Sequence, residues 1–385
     1  MNYPTYKLGD VAEIILGQSP ESKSYNTKGD GLPFFQGKTE FTDWFPIPNK
    51  WCTEPKKIAE PFDILLSVRA PVGPTNIAKE KCCIGRGLAA IRYADCYKYV
   101  LYYLRSVSKY LESKATGTTF SSISGDTIKN LPIPLPPLAT QHAIVTRIET
   151  LFAELGKAVQ HLRTAQQQLK TYRQAVLKAA FEECDSYEKI TNCFDVTGGL
   201  TKNSQREKFP IKMPYLRVAN VYYNRLDLSE IKEIGVQESV IKEKLLKKDD
   251  LLFVEGNGSK EQIGRVAIWN GSIENCLHQN HIIKGRPLGT MLSKFALYYF
   301  ISDFGREQIL KVASSTSGLY TLSTEKVRNL KIPSCPLTEQ QRIVNEIELR
   351  LSQATASETY IENALQQAEA LRQSILKKAF SGELV

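Results

Sequence analysis

The sequence predicts a duplicated protein of mixed α/β (α+β) class, in which two globular domains are each followed by a long helix. Three observations predict it: a repeat at constant offset, a heptad rhythm in both copies, and short β-rich runs ahead of each. The repeat is the firmest. Asn130-Leu131-Pro132-Ile133-Pro134 returns as Asn329-Leu330-Lys331-Ile332-Pro333, 199 residues later, and the offset holds without a gap to Ala180-Phe181 and Ala379-Phe380. Between 130–181 and 329–380, 20 of 52 positions are identical, far above chance. Such self-similarity marks a duplicated structural unit.

The globular parts, 1–137 and 185–336, match more loosely. Asp63-Ile64-Leu65-Leu66-Ser67-Val68 resembles Asp250-Leu251-Leu252-Phe253-Val254, and Leu32-Pro33-Phe34-Phe35 resembles Met213-Pro214-Tyr215-Leu216. Ile64–Val68, Leu251–Val254 and Arg265–Trp269 read as strands between Gly/Asn/Ser turns. Tyr97–Leu111 and Leu292–Val312 read as helical.

The long helices occupy 138–184 and 337–385. In the first, Ile144, Ile148, Leu151, Leu155, Ala158, Leu162, Ala165, Leu169, Tyr172, Val176 and Ala179 step by four and three, the rhythm of a coiled-coil seam. In the second, Ile343, Ile347, Ala354, Ile361, Ala364, Ala368, Leu371 and Ile375 keep that phase, with Arg350 and Ser357 where apolar residues are expected. Pro132, Pro134, Pro136 and Pro137 deliver extended chain to the first helix. Thr338 with Gln341 reads as a capping box for the second. About 44 helical residues would span roughly 65 Å. A seam of that length needs a partner. The nearest is its own duplicate, lying antiparallel and giving the chain an internal pseudo-two-fold axis; an intermolecular coiled coil is the other arrangement.

Composition sets further bounds. The formal charge is +9. Residues 1–137 hold 17 Lys/Arg against 13 Asp/Glu, and 185–328 hold 21 against 17, so the surplus lies mainly in the globules. A basic surplus fits a polyanionic partner. The longest strongly apolar stretch, Phe295–Ile301, is too short to cross a membrane. The chain also opens without a secretory pattern, so a cytoplasmic location is expected. Eight cysteines without framework spacing suit reduced thiols. Cys276-x-His278-x-x-His281 offers metal-ligand types but no clear fourth ligand, and a strand edge is the plainer reading.

No catalytic constellation emerges. A glycine-rich S-adenosylmethionine loop is missing, and Leu135-Pro136-Pro137-Leu138 lacks the flanks of an adenine-methyltransferase motif. A Walker A loop is also absent. Gly256-Asn257-Gly258-Ser259-Lys260 lacks the strand–loop–helix spacing for a triphosphate and reads as a turn. Glu21-x-Lys23 and Glu230-x-Lys232 are triplets common in any charged protein, not a carboxylate cluster for Mg²⁺.

The globules do carry polar loop residues of the kind that meet base edges and phosphates. The candidates in the first are Gln18, Ser19, Gln36, Lys38, Arg69, Arg86, Thr118, Thr119 and Ser121. In the second they are Lys202, Asn203, Arg217, Asn220, Asn257, Ser259, Gln279, Asn280, Thr316, Ser317 and Tyr320. Singly, each is an ordinary surface residue; the case rests on clustering in turns of two basic, duplicated globules.

With its two Asn-Leu-x-Ile-Pro-x-x-Pro-Leu entries, Gln-x-x-Ile-Val helix starts, Leu-Lys-x-Ala-Phe exits and the terminal Ala379-Phe380-Ser381-Gly382-Glu383-Leu384-Val385, the chain resembles the specificity subunits (HsdS) of type I restriction–modification systems. The resemblance covers essentially the whole chain. It implies two target recognition domains, each reading one half of an interrupted double-stranded DNA target. It implies helices that fix the spacer and dock two methyltransferase subunits, with restriction subunits joining through the complex. The chain itself would hold no catalytic site, cofactor or metal; S-adenosylmethionine, ATP and Mg²⁺ would sit on the partners. Glu182-Glu183 departs from the Ser-Gly-Glu-Leu of the second exit, as an internal junction would. The competing readings are a specificity subunit of a fused type IIB-like enzyme, a self-sufficient nuclease, and a coiled-coil DNA clamp without sequence preference.

Overall fold

A computed structural model describes residues 3–117, 121–316 and 318–384. The chain forms two compact units, Met1–Arg163 with Glu362–Val385, and Thr164–Ile361. Each unit therefore contains one globule and part of both long helices, Leu138–Phe181 and Leu337–Ser381.

The first unit is built on a four-stranded antiparallel sheet in the order Glu13–Leu16, Leu88–Arg92, Ile64–Ser67, Thr75–Ile77. The second repeats that order with Phe194–Gly198, Ile282–Pro287, Leu251–Val254 and Val266–Ile268. The central strands are buried on both faces, which is why they read as unbroken apolar runs rather than alternating ones. A further sheet in each unit contains a parallel pair: Leu32–Phe35 with Cys82–Ile84, and Ile211–Leu216 with Leu277–His278.

The duplication extends to single turns. Phe62 and Asp249 both take a left-handed backbone, at φ 71° and 73°, just before a buried aspartate. Glu60 N–H donates to Asp63 Oδ2 at 2.8 Å, and Lys247 N–H donates to Asp250 Oδ2 at 2.7 Å. Each carboxylate then accepts a two-pronged bond from an arginine on the neighbouring strand. Arg92 meets Asp63 at 2.9 and 2.8 Å, and Arg286 meets Asp250 at 2.9 and 2.8 Å.

The helix segment predicted at 97–111 forms as Tyr97–Ser106 and Ser108–Ser113, and the one at 292–312 as Ser293–Ile301 and Asp303–Val312. These segments carry the aromatic faces that seat the long helices. Phe380 meets Tyr99 and Tyr103 edge-on in the first unit, and Phe181 meets Phe295 and Tyr299 in the second. The ion pairs Lys98–Glu149 (2.7 Å) and Lys294–Glu348 (2.6 Å) repeat the same link to a helix start.

Both long helices begin at the leucine after the last proline. Pro137 O accepts from Gln141 N–H and Pro336 O from Gln340 N–H, while the buried amides of these glutamines donate to Pro136 O and Cys335 O. Thr338 consequently lies inside the first turn and not at the cap, and the glutamine that closes the entry is Gln340, not Gln341.

Within each unit the two helices run antiparallel. In the first, Ile144 and Ile148 share a core with Ile375, Leu376 and Ala379; in the second, Val176 and Phe181 share one with Ile343 and Ile347. Leu151, Leu155, Leu162 and Leu169 are half-buried, and Ala354 and Ile361 are buried. The seam departs from the predicted heptad at Ala158, Tyr172, Ala179 and Leu371, all exposed, with Leu371 at 51%. Leu351, Glu358 and Arg173 turn inward instead, and Arg173 bonds Thr355 and Glu358. The seven-residue spacing itself is kept: Ile148, Leu155, Leu162, Leu169 and Val176 in the first helix, and Ile347, Ala354, Ile361, Ala368 and Ile375 in the second, are all buried or half-buried. The second row of the seam lies one residue later than predicted, at Phe152, Val159, Gln166, Arg173 and Ala180 and at Leu351, Glu358 and Leu365, which alternates fours and threes equally well.

Candidate nucleic-acid interface

Three separate loops of the first globule converge on one hollow of about 310 Å³, lined by Gln36, Gly37, Lys38, Thr39, Ser67, Arg69, Ala70, Pro71, Arg86 and Gly87. The lining holds three cations and no carboxylate. Of the four hollows described, it alone has that character. The one at Trp44 and Tyr102 adds Asp43, Glu149 and Glu369, and the one at Cys184 and Cys335 adds Glu183, Asp185, Glu339 and Glu346. The one at Phe45 has both Lys79 and Glu80 in its lining. Lys38, Arg69 and Arg86 are exposed, and no described carboxylate lies within ion-pair distance of them.

Backbone pairing draws the predicted residues together. Arg69 bridges Ser122, and Ala70 N–H donates to Ser121 O at 2.9 Å. Gln18 N–H donates to Ile84 O, and Ser19 Oγ accepts from Arg86 N–H at 3.3 Å. Thr39 was not singled out from sequence; a lone threonine in a polar loop gives no signal until the loop is placed. Thr118 and Thr119 lie outside the described residues.

The second globule repeats the arrangement with different side chains. Gly256–Asn257, Leu319–Thr321 and Ser314–Thr316 form a small antiparallel sheet in which Asn257 faces Tyr320. Thr316 pairs there with Leu319, and Ser317 lies outside the described residues. Asn257 Oδ1 accepts from Ser259 N–H at 2.9 Å, and Ser259 Oγ donates to Glu261. Gln279 and Asn280 are half-buried at the neighbouring turn, and Lys202 is exposed.

Three further candidates are engaged inside the domain. Asn220 is buried, accepts from Arg217 N–H and donates to Asp227 O and Glu230 O, which uses its amide fully. Asn203 caps the short helix Ser204–Glu207 by accepting from Arg206 N–H. Arg217 lies 3.4 Å from Glu230.

A family model described as the type I restriction modification DNA specificity domain matches residues 2–161 and 187–367. The chain belongs to that family. Among curated type I specificity proteins, the EcoKI specificity subunit of Escherichia coli K12 is 27% identical over 93% of this chain and 83% of its own length. The StySPI specificity subunit of Salmonella potsdam is 28% identical over 99% and 89%. The putative MjaX specificity subunit of Methanocaldococcus jannaschii reaches 45%, over 36% of this chain and 33% of that protein. A solved structure described as the basis of complex assembly and conformational transition of the type I R-M system shares the fold. It has a TM-score of 0.75 at 18% identity, over 100% of this chain and 98% of its own.

For this specificity-domain protein the Cys276, His278, His281 cluster resolves into separate environments. His278 is fully buried and its Nδ1 lies 2.9 Å from Ile282 O, whereas His281 is exposed beside Glu255 at 2.8 Å. Burial, and next the charge of Lys284, pushes the His278 imidazole down to about 3; burial pushes the Cys276 thiol up to about 12. Among the described residues no group of three or more His, Cys, Asp or Glu is placed to hold a metal ion. Among them, too, no helix is long and apolar enough to cross a membrane.

Proposed function

We propose that each globule of this specificity subunit reads one half of an interrupted duplex target, and that the chain directs the chemistry of its partners without performing any. The observation that carries the reading is the cationic hollow at Gln36, Lys38, Arg69 and Arg86, supported in the second globule by the polar strand pair of Asn257 with Tyr320 and the turn at Asn280. Lysine and arginine hold phosphates, while arginine and the amides can pair with base edges in the major groove. Because the two globules share a scaffold and differ in loops, the target is asymmetric. The long helices set the spacer and dock two methyltransferase subunits, which carry S-adenosylmethionine and methylate adenine. Restriction subunits that use ATP and Mg²⁺ join through the complex, and the assembly works in the cytoplasm. The names of the relatives, specificity subunits of type I restriction enzymes, support this reading.

The test is adenine-methylation mapping of DNA from cells co-expressing this chain with its methyltransferase partner. An interrupted motif with two specified halves is expected. A continuous motif, or none despite a formed complex, overturns the reading in favour of a clamp without sequence preference. Mg²⁺-dependent cutting by the pure chain would overturn the non-catalytic assignment.

A further inference from the structure

The two domains set unlike side chains at the same points of one scaffold. In the first, Phe34 pairs with Cys83 and Phe35 with Ile84, and the chain then turns through Gly85-Arg86-Gly87 into the central strand at Leu88. Gly85 N–H donates to Phe35 O at 2.8 Å and Leu88 N–H to Gly85 O at 3.0 Å. In the second, Tyr215 pairs with Leu277 and Leu216 with His278, and the turn is Gln279-Asn280-His281. Gln279 N–H donates to Leu216 O at 2.9 Å and Ile282 N–H to Gln279 O at 2.8 Å. The far side is also matched, since Val68 N–H donates to Gly87 O and Glu255 N–H to His281 O, each at 2.9 Å. Arg86 and Asn280 are thus the tip of the same turn. The neighbouring strand end matches too: Arg69 faces Ser122 where Gly256 faces Thr321.

We propose that Arg86 and Asn280 are the base-selecting residues of their domains, Arg86 reading guanine in one half of the target and Asn280 reading adenine in the other. The inference rests on the reading above that each domain meets one half-site. Arg86 is exposed and has no described carboxylate partner, so its guanidinium fork is free to meet guanine O6 and N7. Its neighbours Gly85 and Gly87 bring no side chains, and a Cβ at Gly87 would lie 2.2 Å from Gln36 O. The Asn280 amide makes no side-chain hydrogen bond to any described residue, and its donor and acceptor match adenine N7 and N6. A contact needing charge alone would not tolerate asparagine at the tip. Lys38 and Arg69 stand beside Arg86 for the phosphates.

The experiment maps methylation by the chain with its methyltransferase, comparing wild type, Arg86→Ala and Asn280→Ala. Competition binding by the same complexes, on duplexes altered one base pair at a time, supplies the numbers. The expected result is that Arg86→Ala relaxes a guanine position in one half and Asn280→Ala an adenine position in the other. Discrimination at each should fall about 5- to 150-fold, with the opposite half unchanged. If wild type shows no bipartite motif, the half-site reading itself has failed. If wild type is bipartite but the variants leave both halves as strict as before, or weaken binding to all duplexes equally, the half-site reading stands and this assignment is overturned. Should a variant give no methylation, the competition series decides by the same criterion.

Discussion

Asp63 and Asp250 show how far one residue can matter here. Each carboxylate is almost fully buried, fixed by a backbone N–H and by an arginine fork that also ties two strands. Removing one partner of such a pair leaves an uncompensated charge. Asp250→Ala is therefore expected to cost about 3–5 kcal/mol in thermal or urea unfolding. Lys294→Ala, which removes a mostly exposed ion pair, should cost about 1 kcal/mol or less. His278 gives a pH signature. Its folded pKa of about 3 lies below the usual 6.5 because burial, then Lys284 and Lys244, oppose the charged form. The unfolded chain takes up a proton below pH 6.5 that the folded chain refuses, so stability is full above that pH and falls as pH drops toward 3. By pH 5 the loss is about 2 kcal/mol. His278→Ile, which installs the type found at the matching Ile84, should remove that part of the pH dependence; an unaltered pH slope would show that the imidazole is not its source. At this scale the sequence was informative for exposed groups and silent on engaged ones. Arg69 and Arg86 could be singled out because charged loop residues face water, whereas Asn220 looks identical in sequence to a surface amide until Asp227 and Glu230 turn their carbonyls toward it.

Among the elements, the long helices were the most legible and yet slightly misread. Their apolar rhythm is strong enough to place both of them, and the proline entries mark both starts. The row at 148, 155, 162, 169 and 176 can be completed in fours and threes either by 151, 158, 165 and 172 or by 152, 159, 166 and 173, and only the packed structure selects the second set. Leu371 is the clearest case: apolar, in heptad phase, and exposed. Leu371→Ala should change stability by less than about 0.5 kcal/mol. Phe181→Ala should cost about 3–5 kcal/mol and the half-buried Phe380→Ala a smaller but clear amount of about 2 kcal/mol or more, because each ring packs edge-on between two buried aromatics. Equal, small effects at all three positions would show that the helix ends are not seated as described. The parallel strand pairs were not legible at all. Residues 34–35 meet 83–84 across nearly fifty intervening positions, and no local pattern encodes such a partner.

For the whole molecule, the duplication makes a geometric prediction. Each long helix gives turns to both compact units, so among the described residues the helices are the only regular elements common to the two. A heptad inserted near the middle of one helix adds about 10.5 Å of rise and turns the following residues by only about 20° from their former face. Made in one helix alone, it would put residues 173 and 358 out of register and break their pairing. Made in both, it keeps the antiparallel register within each unit and leaves the loops of both globules untouched. If the helices act as the ruler between half-sites, the doubly extended protein should modify a target whose spacer is longer by about three base pairs, at about 3.4 Å each. Both specified halves should be unchanged. Methylation mapping of the extended chain with its methyltransferase reads spacer and halves together. A spacer of the original length, with methylation retained, would show that something other than helix length sets the distance. The duplicated globules would then remain two readers without a ruler between them.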